Sequence, residues 1–165
     1  MMKKTLFSLM TIALMAVVCV GFSACGSDGD DNGGGSSSGL TGVWKRTYKY
    51  EIKYTKDASG QWVKSSEKEK TYGDNDGSEG YLFESGGMAK LLYNVLADGT
   101  YKVEEEFKYK VEGGHLYMWE LDDRDEDGWE DVGKITVSGN TFEMQEEEID
   151  GNYKKVSTKR YKKVM

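Results

Sequence analysis

The sequence predicts an all-β domain in which an antiparallel up-and-down meander closes into a barrel of eight or nine strands. Apolar and polar residues alternate over long runs after residue 40, which is the period of a strand with one buried face. Glycine-containing turn pairs recur along the chain, and the chain has no proline. We expect closure because it removes the unpaired edges of a long meander most completely.

Nine strands are predicted, and the turn pairs set most of their limits. In chain order they cover residues 42–55, 61–72, 79–85, 88–97, 100–111, 115–122, 129–137, 140–149 and 152–164. Pairs such as Asp98-Gly99 and Gly139-Asn140 supply the positive backbone angles of tight hairpins. Residues 72–79 form the loosest connection, so a sandwich with one longer crossing is the alternative fold.

Two strands show which residues should face the core. In the first strand these are the even-numbered positions Trp44, Arg46, Tyr48, Tyr50, Ile52 and Tyr54. In the fifth they are the odd-numbered positions Tyr101, Val103, Glu105, Phe107, Tyr109 and Val111. Arg46 and Glu105 interrupt these faces, and a buried charge is costly unless it is paired. Either the two charges fix a polar group of a ligand, or they pair with each other or reach water.

The N-terminus predicts export. Lys3 and Lys4 precede an uncharged, mostly apolar run from Thr5 to Phe22, and small residues lead into Cys25. This order is typical of a secretory signal peptide. The run approaches membrane-spanning length, so a retained helix is the alternative, but no basic residue follows it.

The residues "FSAC" resemble the lipobox of bacterial lipoproteins. This resemblance implies that residues 1–24 are a signal peptide and that Cys25 becomes a lipidated N-terminus carrying palmitate or a similar chain. A plain secretory signal is the alternative. Residues 25–39 then form a Gly/Ser/Asp linker, disordered because it has no apolar side chain to bury, and residues 40–165 form the domain.

The linker and the cysteines add to the prediction of an envelope protein. Asp28, Asp30 and Asp31 resemble an export tag that sends lipoproteins to the outer surface of some Gram-negative bacteria, although an ordinary solvated linker would look the same. We therefore expect an outer-membrane anchor, and a domain that faces the exterior if the acidic cluster is such a tag. Because Cys19 leaves with the signal and Cys25 carries lipid, the domain has no free thiol.

Charge excludes one class of partner. The chain carries a net charge of −7, and loss of Lys3 and Lys4 with the signal takes it to −9. No basic run is long enough to follow a phosphate backbone, so nucleic-acid binding is not expected.

The domain resembles bacterial lipocalin-like domains. "LTGVWKRT" contains the Gly-x-Trp pattern that begins the first lipocalin strand, and "LADGTYKV", "YKVEGGHLYMW", "ITVSGNTFEM" and "YKKV" follow in the order seen in such domains. The resemblance implies that Trp44 lies across the barrel floor beneath Arg160. It also implies a binding function.

A lipocalin-like barrel either holds one small ligand or is filled by its own side chains. The first case predicts a lipid-anchored binding protein for a small apolar or aromatic molecule, and the second predicts an accessory protein with an envelope protein as its partner. All 11 tyrosines lie in the domain and suit both cases. The candidate ligand-binding residues are Trp44, Arg46, Tyr48, Tyr50, Glu105 and Tyr109.

Catalysis and cofactors have little support in the sequence. Asp123, Asp125 and Asp127 before Gly128 match the start of a calcium loop, but Lys134 stands where the twelfth-position glutamate would be needed. A charged hairpin turn is therefore favoured over a calcium site. The single histidine, His115, has no nucleophile placed beside it by a motif, so we expect no enzyme and no cofactor.

Overall fold

The computed structural model describes residues 39–121 and 128–165, which form nine antiparallel strands. The strands are β1 (Gly42–Lys56), β2 (Trp62–Thr71), β3 (Ser78–Glu84), β4 (Met88–Val95), β5 (Lys102–Glu112), β6 (His115–Glu120), β7 (Glu130–Ser138), β8 (Thr141–Asp150) and β9 (Tyr153–Lys163). Each lies within about two residues of its predicted limits. Among these residues there is no helix with the length and hydrophobicity needed to cross a bilayer.

Eight strands close into a barrel, which confirms the predicted fold class. Strands β3 to β9 pair in chain order, β9 pairs with β1, and β1 pairs with β3. Strand β2 pairs only with β1 and is therefore a ninth strand outside the ring. The connection at residues 72–77 carries the chain between β2 and β3 along one edge of β1, so it makes no crossing between two sheets.

Strand β1 is long enough to pair with β3 over its first part and with β2 over its second part. Residues Gly42–Lys45 pair with β3, whereas Tyr48–Lys56 pair with β2, and β9 pairs with both parts. Strand β8 extends in the same direction, because β7 covers only Thr141–Gln145. We call β2, the second part of β1, and the paired segments of β9 and β8 the projecting sheet.

A β-bulge at Thr47 separates the two parts of β1. Arg46 lies opposite Tyr161 and Tyr48 lies opposite Arg160, which leaves Thr47 as an extra residue. Because side chains alternate along a strand, one extra residue exchanges the two faces for everything that follows. The prediction that even-numbered residues face the core therefore holds from Trp44 to Arg46 and is wrong from Tyr48 onward.

The barrel interior is a continuous aromatic and aliphatic core. Phe142 stacks on Tyr161 with ring centroids 4.4 Å apart, and Trp44 meets the edge of Phe142 at 5.0 Å. The same cluster includes Leu40, Tyr81, Phe83, Ala89, Tyr109, Leu116, Met118, Ile135 and Met144. Contacts at these distances bury the large apolar surfaces that stabilise an all-β domain without disulfides.

A smaller cluster lies on the other side of the barrel wall. Val43 neighbours the inward-facing Trp44 and packs outward with Leu92 and Val95. The wall is tight here, since a Cβ on Gly80 would lie 2.1 Å from the carbonyl oxygen of Trp44. Leu91 packs against the core, so its neighbour Leu92 faces outward by strand alternation and joins this outer cluster.

Strand β5 follows its prediction only in part. Tyr109 is buried and Phe107 and Val111 pack against the core, as predicted. Val103 is 45% exposed, so the prediction that it faces the core is wrong. Glu105 lies opposite Leu91 and Val103 lies opposite Leu92, which leaves Glu104 as an extra residue of β5. This bulge exchanges the two faces of β5 and puts Val103 on the outer side with Leu92.

Candidate functional site

The described interior has no room for a ligand between its central rings. Besides the Phe142–Tyr161 stack, Phe83 lies 4.9 Å from Tyr109 and 5.5 Å from Tyr81 between ring centroids. Rings at these separations are in van der Waals contact. Two candidate ligand-binding residues, Trp44 and Tyr109, are part of this packed core. Of the two possibilities left open by the sequence, the geometry favours the filled barrel.

Arg46 secures the fork where β2 and β3 part along the edge of β1. Its Nη1 donates to Glu79 Oε2 at 2.5 Å and its Nη2 donates to the Tyr72 hydroxyl at 2.9 Å. Glu79 is the second residue of β3 and Tyr72 follows β2, so one buried guanidinium holds both strands. The Ser78 hydroxyl adds a 2.8 Å bond to the Arg46 carbonyl oxygen. The charge that interrupted the predicted core face is thus paired with Glu79, which the sequence did not single out.

Tyr81 and Tyr161 mark the end of the apolar core beside this fork. Burial raises the pKa of both phenols well above 10, and the nearby carboxylate of Glu146 acts in the same direction. The positive charge of Arg46 opposes this shift. Both hydroxyls therefore stay neutral in the folded protein, and beyond them the inner face becomes charged.

The inner face of the projecting sheet continues the side of β1 that carries Trp44 and Arg46. After the bulge it consists of alternate residues on four strands: Lys49, Glu51, Lys53, Ser66, Lys68, Lys70, Glu146, Glu148, Lys155, Ser157 and Lys159. Lys159 pairs with Glu146 at 2.6 Å, and Glu51 pairs with Lys49 at 2.9 Å and Lys53 at 3.6 Å. Six lysines thus share the face with three glutamates and with Asp150, which lies opposite Tyr153 at its end, so this face is basic on an acidic protein.

The outer face of the projecting sheet has a different character. Tyr48, Tyr50, Ile52 and Tyr54 form a half-buried stripe along β1. Partial burial and the carboxylate of Glu69 raise the pKa of Tyr48. Partial burial and the carboxylate of Glu67 likewise raise the pKa of Tyr50. Two more candidate ligand-binding residues therefore lie outside the barrel, on the side opposite Arg46.

Arg160 does not cover Trp44, so the predicted barrel-floor stack is wrong. Its guanidinium lies 4.8 Å from the ring centroid of Tyr48 and pairs with Glu143 at 2.7 Å, on the outer face. The cation over Trp44 is Lys163, with its Nζ 5.7 Å from the ring centroid. The physical reason is strand parity, because Tyr161 faces the core and its neighbour Arg160 must face outward.

The remaining predicted residues are dispersed. Glu105 is half-buried on β5 opposite Leu91, away from the Arg46 fork. Cys25 and the triad Asp123, Asp125 and Asp127 lie outside the described residues. In the ranges that are described, no group of three or more histidine, cysteine or acidic side chains could hold a metal ion.

A third surface lies on the outer wall of the barrel at β5, β6 and the start of β7. Trp119 and Trp129 meet edge to face at 6.0 Å, and Lys108 and Lys110 each place an ammonium group 5.1 Å from one of these rings. Trp129 is 38% exposed. These cation–π contacts link neighbouring strands, and the sequence pointed to none of them.

An open groove of about 370 Å³ runs over β7, β8 and β9. Its lining combines the polar residues Thr136, Thr141, Glu143 and Arg160 with Phe142 and Tyr161. The groove is open to solvent and therefore differs from the enclosed pocket expected of a ligand-carrying barrel.

In comparisons with known proteins, no family model, no curated protein and no solved structure matches this chain.

Proposed function

We propose that the protein is an exported, lipid-anchored binding protein in which the barrel is a filled scaffold and the surfaces around the projecting sheet bind the partner. The observation that carries this proposal is the packed ring cluster centred on Phe142 and Tyr161. A small apolar ligand inside the barrel would have to displace buried side chains and leave their contacts unmade. Binding on the outside requires no such rearrangement.

The anchor is supported by the order of residues before the domain. A basic start, an apolar run and the lipobox-like "FSAC" precede Cys25, and a linker without apolar side chains follows it. As a flexible coil, the linker would hold the domain roughly 20 Å from the bilayer. A domain presented in this way can meet soluble or polymeric partners outside the membrane.

The strand edges support binding through a face of the sheet. Strand β2, which ends the sheet on one side, reads "WVKSSEKEKT", and the uncovered end of β8 reads "EEEID". Charged residues on an edge strand discourage the addition of another strand. The two faces of the projecting sheet are then the surfaces available to a partner.

Two measurements test the proposal. A fluorescent apolar probe such as N-phenyl-1-naphthylamine, titrated into the full chain, should show no saturable binding, because the core is filled. Saturable binding that Phe142→Ala strengthens would contradict the filled scaffold. Incorporation of labelled palmitate should be abolished by Cys25→Ser and retained in the matched control Cys19→Ser. Equal incorporation in both variants would contradict the anchor.

A further inference from the structure

The inner face of the projecting sheet contains a row of like charges that the fold does not need. Lys70, Lys49 and Lys159 lie directly opposite one another on β2, β1 and β9. Like charges at directly opposed positions of an antiparallel pair destabilise the sheet. The row is therefore unfavourable in the isolated protein unless something of opposite charge binds it.

The glutamates on this face neutralise the row only in part. Lys159 pairs with Glu146 and Lys49 pairs with Glu51. Within the described ranges, neither Lys68 nor Lys70 makes an ion pair. Lys68 lies opposite Glu51, whose carboxylate already pairs with Lys49 and Lys53, and Lys70 lies opposite Lys49. The least neutralised cations are thus on β2, at the open edge of the sheet.

Two rings hold ammonium groups at opposite ends of this face. The Nζ of Lys70 lies 4.5 Å from the ring centroid of Tyr72, and the Nζ of Lys53 lies 6.0 Å from that of Tyr153. Cation–π contacts restrict flexible lysine side chains. The positions of the positive charges are therefore partly set before any ligand arrives, which reduces the entropic cost of binding.

We propose that this face binds an acidic polysaccharide, with carboxylate groups of the polymer on Lys70, Lys68, Lys49 and their neighbours. The inference rests on the proposed function, because an exported domain meets such polymers outside the cell. It adds the substrate class and the residues that the proposed function leaves open.

The layout of the lysines favours a polymer over a small anion. Neighbouring strands are about 5 Å apart, and residues four positions apart on a strand are about 13 Å apart. Lys49 and Lys53 on β1, like Lys155 and Lys159 on β9, have this second spacing. The charges therefore spread over an area wider than a single phosphate or sulfate could contact. A chain with one carboxylate per sugar can reach several of them.

Charge density distinguishes a polysaccharide from other polyanions. Duplex DNA carries a charge about every 1.7 Å, and parts of it beyond this face would meet a protein whose net charge is −7. A polyuronate is less densely charged and is repelled less. A planar bilayer is also a poor fit, because this face continues the concave inner side of the barrel wall and cannot lie flat against a membrane surface.

The test uses the full chain in a neutral detergent and polygalacturonate as the probe, with unmodified dextran as the uncharged polymer. We expect saturable binding to polygalacturonate that weakens as NaCl increases, and no binding to dextran. Lys68→Gln/Lys70→Gln should weaken binding by about tenfold, since each exposed charge pair contributes a few-fold.

The matched control is Lys102→Gln/Lys162→Gln. It removes two exposed lysines and the same net charge, and Lys102, like Lys70, makes a cation–π contact with a tyrosine. We expect this control to change affinity by less than about twofold. The inner-face variant should unfold at the same temperature as the parent or a higher one, because a repulsive lysine has been removed.

Three outcomes would overturn the proposal. These are no binding of polygalacturonate at low salt, an equal loss in the two double variants, or tighter binding to single-stranded DNA or phosphatidylglycerol vesicles than to polygalacturonate. If the proposed filled scaffold is wrong, the result is distinguishable from failure of the polysaccharide proposal. An apolar probe would then bind inside the barrel, whatever the outcome with the polymer.

Discussion

The two parts of β1 have the same sequence pattern and opposite structural roles. From Gly42 to Arg46 the strand forms barrel wall, and Trp44 is completely buried among aromatic rings. From Tyr48 to Lys56 it forms the centre of the projecting sheet, where most side chains are half-buried. The alternation of aromatic and charged residues continues through both parts.

The difference shows that an alternating pattern fixes strand character but does not fix which face is the interior. The bulge at Thr47 puts the tyrosines outside and the lysines inside, at the point where β1 exchanges β3 for β2. In the barrel part, the inner side is stabilised by apolar packing. In the projecting part, the same side carries ion pairs and unneutralised lysines.

The largest contrast should appear when one ring is removed from each part. Phe142→Ala removes a ring that contacts Trp44, Phe83 and Tyr161 and should lower the free energy of unfolding by about 3–5 kcal/mol. Tyr50→Ala in the projecting sheet should cost about 1 kcal/mol or less, because its ring is half-buried and leaves no enclosed cavity. Urea unfolding measures both, and similar losses would contradict the separation into core and projecting sheet.

Alkaline pH should act on the barrel part through its two buried phenols. Since the pKa values of Tyr81 and Tyr161 are raised on folding, their stability contribution is complete below pH 10 and is lost as the pH rises above 10. The loss should be about 1.4 kcal/mol per phenol per pH unit. Tyr161→Phe should reduce this slope in urea midpoints taken from pH 9 to 11.5. Tyr93→Phe, at an exposed site, is the control, and equal slopes in both variants would count against the buried phenols.

The junction between the two parts should be sensitive to Glu79. Glu79→Ala leaves the buried Arg46 guanidinium without its carboxylate partner and should cost about 1–2 kcal/mol, at the lower end for a charged hydrogen bond because Glu79 is half-exposed. Urea unfolding compares it with Glu104→Ala on the exposed side of β5, which should be nearly neutral. If the two variants are equally stable, Arg46 does not secure the fork through Glu79.

The smallest effect is expected when the bulge itself is removed. Deleting Thr47 leaves Arg46 opposite Tyr161 and Tyr48 opposite Arg160, so neither face of the projecting sheet changes. The main loss is the 2.9 Å bond from the Tyr72 amide to the Thr47 carbonyl oxygen, worth about 1 kcal/mol. Thr47→Ala, which keeps the bulge, is the control for the side chain. A loss above about 3 kcal/mol on deletion would show that the bulge is essential to the fork.

Most of the fold could be predicted because its signals are local. Turn pairs such as Asp98-Gly99 and Gly139-Asn140 and the two-residue period placed all nine strands, and closure followed from the number of edges. The candidate site could be predicted only in part. Trp44 and Arg46 were placed on the inner side correctly, whereas Tyr48 and Tyr50 were not.

The sequence by itself determined that this chain makes antiparallel strands, where they begin and end, and that they close into a ring, since these properties depend on neighbouring residues. The tertiary structure decided which side of each strand is the interior, that Arg46 pairs with Glu79, and that Lys70, Lys49 and Lys159 form one row. These features depend on single extra residues such as Thr47 in β1 and on register between residues far apart in the chain. Alternation alone carries no information about either.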